Sequence, residues 1–148
     1  MRSLYRVSTR QSTFDVRLIH DFLRNSYWAK NIPRAVVERS IRNSLCFGVF
    51  CKGRQVGFGR VITDRATFAY IADVFIVPEH RGLGAAQLML RAMLNHRQLQ
   101  GLRRWMLATL DAHGLYKKFG FQPITHAERY MTIHHPEVYQ RRRDARVS

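Results

Sequence analysis

The stretch Asp73-Val74-Phe75-Ile76-Val77-Pro78-Glu79-His80-Arg81-Gly82-Leu83-Gly84-Ala85-Ala86 decides the reading of this chain. An apolar strand stops at Pro78, a short basic turn follows, and a turn with two glycines opens a helix. The first N–H groups of a helix have no internal partner and point outward, so such a junction is a natural seat for an anion. Glycine permits positive φ and a close approach of ligand to backbone. Arg81 adds a full charge beside those amides. Two phosphate-binding patterns fail here. The G-x-x-x-x-G-K-[ST] loop needs a lysine after its last glycine, and alanine stands there. The dinucleotide pattern G-x-G-x-x-G starts at Gly82 but ends on Gln87, and Pro78 to Arg81 separate it from the strand.

Working outward, Leu4–Val7 reads as a short strand. A helix capped by Thr13 or Asp15 runs to about Asn25, and a second starts at Pro33 and ends near Ser44. Leu45–Phe50, Gln55–Thr63 and Phe68–Val77 read as strands, joined by a turn at Cys51–Arg54 and another near Asp64. Leu83 to about Asn95 is an amphipathic helix, Arg104–Thr109 a strand and Ala112–Phe119 a short helix. Phe121 onward is strand-like, with Arg129–Ile133 the last clear strand. Meandering strands followed by strand–helix alternation indicate an α+β domain with a mixed sheet. We find no repeat or linker, so residues 1–148 are read as one domain, with 136–148 as a basic tail carrying Arg141-Arg142-Arg143.

The 148 residues hold 25 Lys+Arg against 10 Asp+Glu, a formal charge of +15. Such a surface attracts phosphates, in nucleic acid or in a phosphorylated ligand. No apolar run approaches ~20 residues, which argues against a membrane span, and no apolar stretch follows the basic start, which argues against a secretory signal. Cys46 and Cys51 lack the histidine partners of a zinc site. A reduced, cytoplasmic protein without metal is the expectation.

Arg81, Gly84 and Ala86 form the pattern R-x-x-G-x-A after a strand that ends at a proline. Downstream stands Ala112-His113-Gly114-Leu115-Tyr116-Lys117-Lys118-Phe119-Gly120-Phe121. The two segments, in this order and separated by a strand, resemble the acetyl-CoA-binding motifs of the GNAT-type N-acetyltransferases. The resemblance covers most of the chain and is weakest before residue 45 and after Pro136. It implies a central, mostly antiparallel twisted sheet flanked by helices. It also implies acetyl-CoA as cosubstrate, an amine as acceptor, and a homodimer as a reasonable assembly. Carried onto this sequence, it places the pantetheine arm along the backbone of Phe75, Ile76 and Val77. The pyrophosphate falls on the amides of Arg81, Gly82, Leu83, Gly84, Ala85 and Ala86. Tyr116 takes the general-acid position. Thr109 stands where many members have an asparagine that bonds the pantetheine arm, and a hydroxyl replaces only part of an amide's bonding.

An alkyl amine is mostly protonated at pH 7, so a base is expected. Asp73 is the first choice, with Asp111 and His113 next. The alternative for Asp73 is a buried carboxylate bonded to backbone or arginine, and for Asp111 a helix cap. Tyr27 and Trp28 fit the wall of an acceptor pocket, or equally a plug between helices. Two further readings stay open on the same scaffold: a nucleic-acid-binding or regulatory module, supported by charge, and a non-catalytic acyl-CoA sensor.

Overall fold

In the computed structural model, residues 4–140 are described. The tail arginines at 141–143 lie outside them. Five strands form one sheet in the order of the chain, β1 (Tyr5–Ser8), β2 (Leu45–Cys51), β3 (Arg54–Thr63), β4 (Phe68–Ile76) and β5 (Arg104–Leu107). The first four pair antiparallel, and β5 runs parallel to β4. Helices α1 (Val16–Arg24) and α2 (Arg34–Arg42) separate β1 from β2. Helix α3 (Ala85–Leu94) makes the crossover from β4 to β5, and α4 (His113–Lys117) follows β5.

Local chemistry explains the boundaries. Asp15 caps α1 by accepting the Leu18 N–H at 3.0 Å, which supplies one orphan donor of the first turn with a partner. Pro33 directly precedes α2, and its carbonyl accepts from Val36 and Val37. In the turn between β3 and β4, the Asp64 carboxylate accepts from the N–H groups of Ala66, Thr67 and Phe68 and from the Thr67 hydroxyl. These donors hold its carboxyl well below the usual carboxylate range.

The sheet is covered on both faces. Leu45, Phe47 and Val49 point to one face and pack with Met89, Leu90 and Met93 of α3. Cys46 points to the other face and joins Ile19 and Leu23 of α1 and Val37 and Ile41 of α2. Burial on both faces is why β2 reads as an unbroken apolar run and not as an alternation. Gly59 lies where a Cβ would stand 2.4 Å from the Met93 methyl, so the missing side chain lets α3 sit close on the sheet.

Several elements differ from the sequence reading: α4 runs His113–Lys117 and not Ala112–Phe119, and no strand forms from Phe121 to Gln140. Helix α3 begins at Ala85, because Leu83 and Gly84 belong to the turn. Strand β5 ends at Leu107, two residues short of Thr109. Arg129–Ile133 forms no strand: Ala127–Arg129 is a single 3-10 turn, and 130–135 is irregular. Alternation gives a segment the capacity for pairing, but a strand exists only when a ladder partner is docked against it.

Candidate active site

The sheet opens at the end of β4. The parallel ladder runs from Phe68 opposite Arg104 to Ile71 opposite Leu107 and stops there. β4 continues to Ile76, still paired with β3. Its other edge, from Ala72 to Ile76, therefore faces no strand among the described residues over a length of about 16 Å. The Val77 N–H donates to the Val56 carbonyl at 2.8 Å. By strand alternation, the Ile76 N–H and carbonyl point the opposite way, toward the gap. The Ile76 carbonyl accepts Arg81 Nε at 2.9 Å. Arg81 therefore braces the turn as well as charging it.

That turn leads into α3. Pro78–His80 is a 3-10 turn, and the Tyr5 hydroxyl and His80 Nδ1 are hydrogen-bonded at 3.0 Å. Gly82 takes φ +76° and Gly84, the residue capping α3, takes φ +87° with open space where a Cβ would stand. This left-handed geometry is costly for other residues and costs glycine little. The Leu88 N–H reaches the Gly84 carbonyl at 3.1 Å. The N–H groups of Ala85, Ala86 and Gln87 precede that bond and have no helical acceptor. They are free to receive an anion, with the helix dipole behind them. Leu83 is well exposed beside them.

A bulge shapes the middle of β4. Phe58 pairs with Phe75 and Arg60 with Ala72, so Gly59 alone faces Asp73 and Val74. Asp73 adopts φ +57°, a conformation aspartate tolerates better than most residues. Bulges re-aim side chains, and here both carboxylate oxygens are occupied. Oδ2 accepts Arg60 Nε at 2.8 Å and Oδ1 accepts the Trp28 indole N–H at 2.9 Å. The Arg60 and Asp73 side chains are 17% and 9% exposed, and Arg60 also donates to the Ser44 hydroxyl. Asp73 is thus bonded to an arginine and to an indole, one donor on each oxygen. Sequence reasoning missed Arg60. Its signal was an arginine inside an apolar strand, because a buried guanidinium requires a carboxylate.

Trp28 thereby hangs over the bulge. Tyr27 meets it edge-on at 5.1 Å, and Phe22 lies 6.5 Å away on its other side. Phe22 stacks on Phe75 at 4.0 Å. Tyr27 and Trp28 are 65% and 43% exposed, so neither is buried between the helices. Phe22, on the apolar side of α1, lies beside both Trp28 and Phe75.

Tyr116 approaches from α4. It is buried in the cluster that contains Ile76, with Val74, Val77 and Leu107 packed against it, and it meets Phe121 edge-on at 5.8 Å. Burial pushes its phenol above the ordinary tyrosine range, and the Tyr27 phenol adds to the shift. The Thr109 hydroxyl accepts the Ala112 N–H at 3.1 Å, so it starts the turn into α4 and keeps its own proton to donate. Asp111 makes no cap: the residue before α4 is Ala112, with no side-chain bond. Asp111 and His113 are both exposed. Among the described residues no group of three His, Cys, Asp or Glu side chains could hold a metal ion.

Comparison with known proteins bears on the chain as a whole. The family profile of the acetyltransferase (GNAT) domain matches residues 42–123. The chain belongs to the GNAT acetyltransferase family. A Gibberella zeae protein named as a candidate acetyltransferase is 35% identical, the match covering 79% of this chain and 78% of that protein. A crystal structure from Xanthomonas campestris pv. campestris, described as a candidate GNAT acetyltransferase, is 51% identical with a TM-score of 0.89. It covers 91% of this chain and 96% of that one. A Clostridium acetobutylicum protein crystallised with acetyl-CoA shares the GNAT fold at TM-score 0.62 and 16% identity, over 88% and 94% of the two chains.

Proposed function

We propose that this GNAT acetyltransferase is an acetyl-CoA-dependent N-acetyltransferase that acetylates a primary amine by direct attack. The observation that carries the reading is the unpaired edge of β4 from Ala72 to Ile76, running into the free amides at the start of α3. The residues fit acetyl-CoA. The gap offers backbone hydrogen bonds to an amide-containing arm laid beside Phe75, Ile76 and Val77. The turn from Arg81 to Ala86 offers N–H groups and a positive charge to a pyrophosphate. The Thr109 hydroxyl has a proton to give toward the same gap.

Acetyl-CoA supplies the activated acyl group: the amine nitrogen forms a bond to the thioester carbon, the C–S bond breaks, and the proton lost by nitrogen balances the one gained by the thiol. Tyr116 donates toward the sulfur. Its phenol stays protonated at neutral pH, and its raised pKa makes it a hydrogen-bond donor that yields its proton only late in the reaction. Asp73 has both oxygens occupied, and we assign it to positioning: it holds Trp28 over the bulge. The amine's proton then leaves to water, or the free-base fraction of the amine reacts. Discarding that proton at pH 7 costs about 4 kcal/mol for an amine of pKa near 10. Tyr27, Trp28 and Phe22 wall the acceptor side. A strongly positive surface disfavours polyamines and favours a neutral or anionic amine. With both thiols free, we place the enzyme in the reducing cytoplasm.

Calorimetry with acetyl-CoA on wild type, Gly84→Ala and Gly84→Glu tests the reading. Wild type binds one-to-one. Gly84→Ala carries the same backbone strain as Gly84→Glu without its charge, and binds more weakly than wild type but measurably. Gly84→Glu sets a carboxylate against the pyrophosphate and binds at least tenfold more weakly than Gly84→Ala. No saturable binding by wild type refutes the enzyme. Binding without acetylation of any amine in a broad screen, unchanged by Tyr116→Phe, supports an acyl-CoA sensor instead.

A further inference from the structure

The loop between α1 and α2 holds Tyr27 and Trp28 exposed on a tied frame. Ser26 and Ala29, on either side of them, are buried. The Ser26 hydroxyl donates to the Leu23 carbonyl at 2.6 Å and accepts the Ala29 N–H at 3.1 Å. The Asn31 N–H donates to the Arg24 carbonyl, and the Ile32 N–H to the Ala29 carbonyl. His20 Nε2 donates to the Ile32 carbonyl at 2.9 Å. The exposure of the two rings is thus a property of an anchored loop and not of a loose one. Contiguous apolar surface kept in water marks a site for a ligand or partner. Trp28 has a single polar donor and spends it on Asp73 Oδ1. The rest of its ring offers only apolar and π surface, and Tyr27 stands edge-on beside it.

The charges around these rings are already committed. Asp15, Asp21, Glu38 and Asp73 are the carboxylates of α1 with its cap, of the loop, of α2 and of β4. Asp15 accepts the Leu18 N–H, Asp21 pairs with Arg24, Glu38 with Arg34, and Asp73 with Arg60 and Trp28. Arg17 on α1 and Lys30 in the loop are exposed. A cation on an aromatic face gains little at an exposed site, and these neighbouring cations oppose it. A neutral ring meets no such opposition. Aromatic rings attract one another edge-on or offset, with centroids roughly 4.5–7 Å apart, and gain beyond the area they bury. The Tyr27 phenol also lies near enough to Tyr116 for its charge to raise the Tyr116 pKa, so the exposed rings border the proposed thiol donor.

We propose that the acceptor is a primary amine whose body is an aromatic ring, seated against Tyr27 and Trp28, and which carries no second positive charge. The inference rests on the reading of the protein as an amine acetyltransferase whose acceptor enters beside β4. Tyr27 and Trp28 meet at an interplanar angle of 79°, so together they offer a third ring both an edge and a face. A flat ring exploits both, and a saturated ring of the same carbon count exploits neither. The discrimination expected from such contacts is roughly 2- to 12-fold beyond burial alone. Arg60 and Asp73 act through Trp28: they fix the indole, and the indole meets the acceptor. The anchored loop keeps the rings preorganised, so little ordering entropy is lost when the acceptor arrives.

The test compares matched amines with acetyl-CoA, followed by thiol release. 2-Phenylethylamine and 2-cyclohexylethylamine differ in the π system and flatness of the ring, and 1-aminopentane and 1,5-diaminopentane in the second charge. Wild type is expected to show a kcat/KM for the phenyl amine at least about threefold above the cyclohexyl amine, and for the diamine at least about tenfold below 1-aminopentane. Tyr27→Leu and Trp28→Leu keep apolar area and remove a ring, so each lowers the phenyl-to-cyclohexyl ratio toward one. A merely structural role would slow both amines alike and leave the ratio unchanged. Saturation-transfer NMR reads the same contact without turnover: with CoA present, the ring protons of 2-phenylethylamine receive saturation from wild type and lose most of it in Tyr27→Leu. A wild-type ratio at or below one, a ratio that survives both leucine variants, or a preferred diamine overturns the proposal. If acetyl-CoA binds in calorimetry and the phenyl amine is not favoured, the substrate class alone fails. If acetyl-CoA does not bind, the enzyme reading fails and this inference falls with it.

Discussion

Replacing Asp73 by alanine exposes what the bulge is for. The carboxylate is 9% exposed and holds two donors, Arg60 Nε at 2.8 Å and the Trp28 indole at 2.9 Å. Removing one partner of a buried ion pair costs about 3–5 kcal/mol, mostly from the charge left behind. Arg60 retains 17% exposure and its bond to Ser44, which favours the lower end, about 3 kcal/mol. The lost indole bond adds about 1 kcal/mol. Alanine is also a poorer occupant of φ +57° than aspartate, by roughly 1 kcal/mol. The expected total for Asp73→Ala is about 5 kcal/mol. Arg60→Met with Asp73→Asn removes both charges, keeps a side chain that tolerates the left-handed backbone and keeps an acceptor for Trp28. It is expected to cost only about 1–2 kcal/mol. Urea unfolding of the four members of the Arg60→Met/Asp73→Asn cycle, with Asp73→Ala alongside, measures this. Unchanged m-values are required for comparison. A coupling energy below ~0.5 kcal/mol, or a loss under ~1 kcal/mol in Asp73→Ala, refutes a buried pair that positions Trp28. A loss of acetyl-CoA affinity in a still-folded Asp73→Asn would contradict the assignment of this group to the acceptor side.

Tyr116→Phe is expected to leave acetyl-CoA affinity within about twofold and to lower the acetylation rate by 10- to 100-fold, measured as thiol release with the acceptor found by screening. The Tyr116 pKa is raised by burial and the Tyr27 phenol, so above the unfolded value near 10 the unfolded chain ionises first. Wild type therefore loses stability as pH climbs through and beyond 10, and Tyr116→Phe loses less, which thermal melts between pH 8 and about 11 would show. Gly59→Ala puts a Cβ 2.4 Å from the Met93 methyl and 3.1 Å from Met89. It should cost about 1–3 kcal/mol in urea unfolding, and Gly59→Ala with Met93→Val should recover part of that. Burial pushes the Cys46 thiol up to about 12 and its side chain is sealed. In a Cys51→Ser variant at pH 8, Ellman's reagent should therefore react only when the protein unfolds; rapid labelling of the native protein would contradict the packing.

Much of the fold was legible because local signals and global structure agree. Pro33 and Asp15 mark helix starts, the strands β2 to β4 carry continuous or alternating apolar residues, and the Pro78–Gly84 turn carries positive-φ glycines where a helix must open toward a ligand. The proposed cofactor turn was locatable from the sequence, because backbone amides at a helix start are fixed by sequence order. Arg60 was not, since its partner lies thirteen residues away across a bulge. Nor was Phe22, whose place beside Trp28 and Phe75 depends on how α1 sits over β4.

The sequence alone determined the order of the elements as far as α4, the glycine turn that opens α3 and the place of Tyr116 on α4, since each depends on short-range periodicity and turn chemistry. Tertiary structure decided the rest. The gap beside Ala72–Ile76 exists because β5 stops at Leu107 while β4 continues, a difference between two strands that neither strand encodes by itself. Asp73 holds Arg60 and Trp28 because a bulge against Gly59 turned its side chain. Arg129–Ile133 kept a strand's pattern without becoming one, because pairing needs a partner, and no strand within the described chain is docked against it.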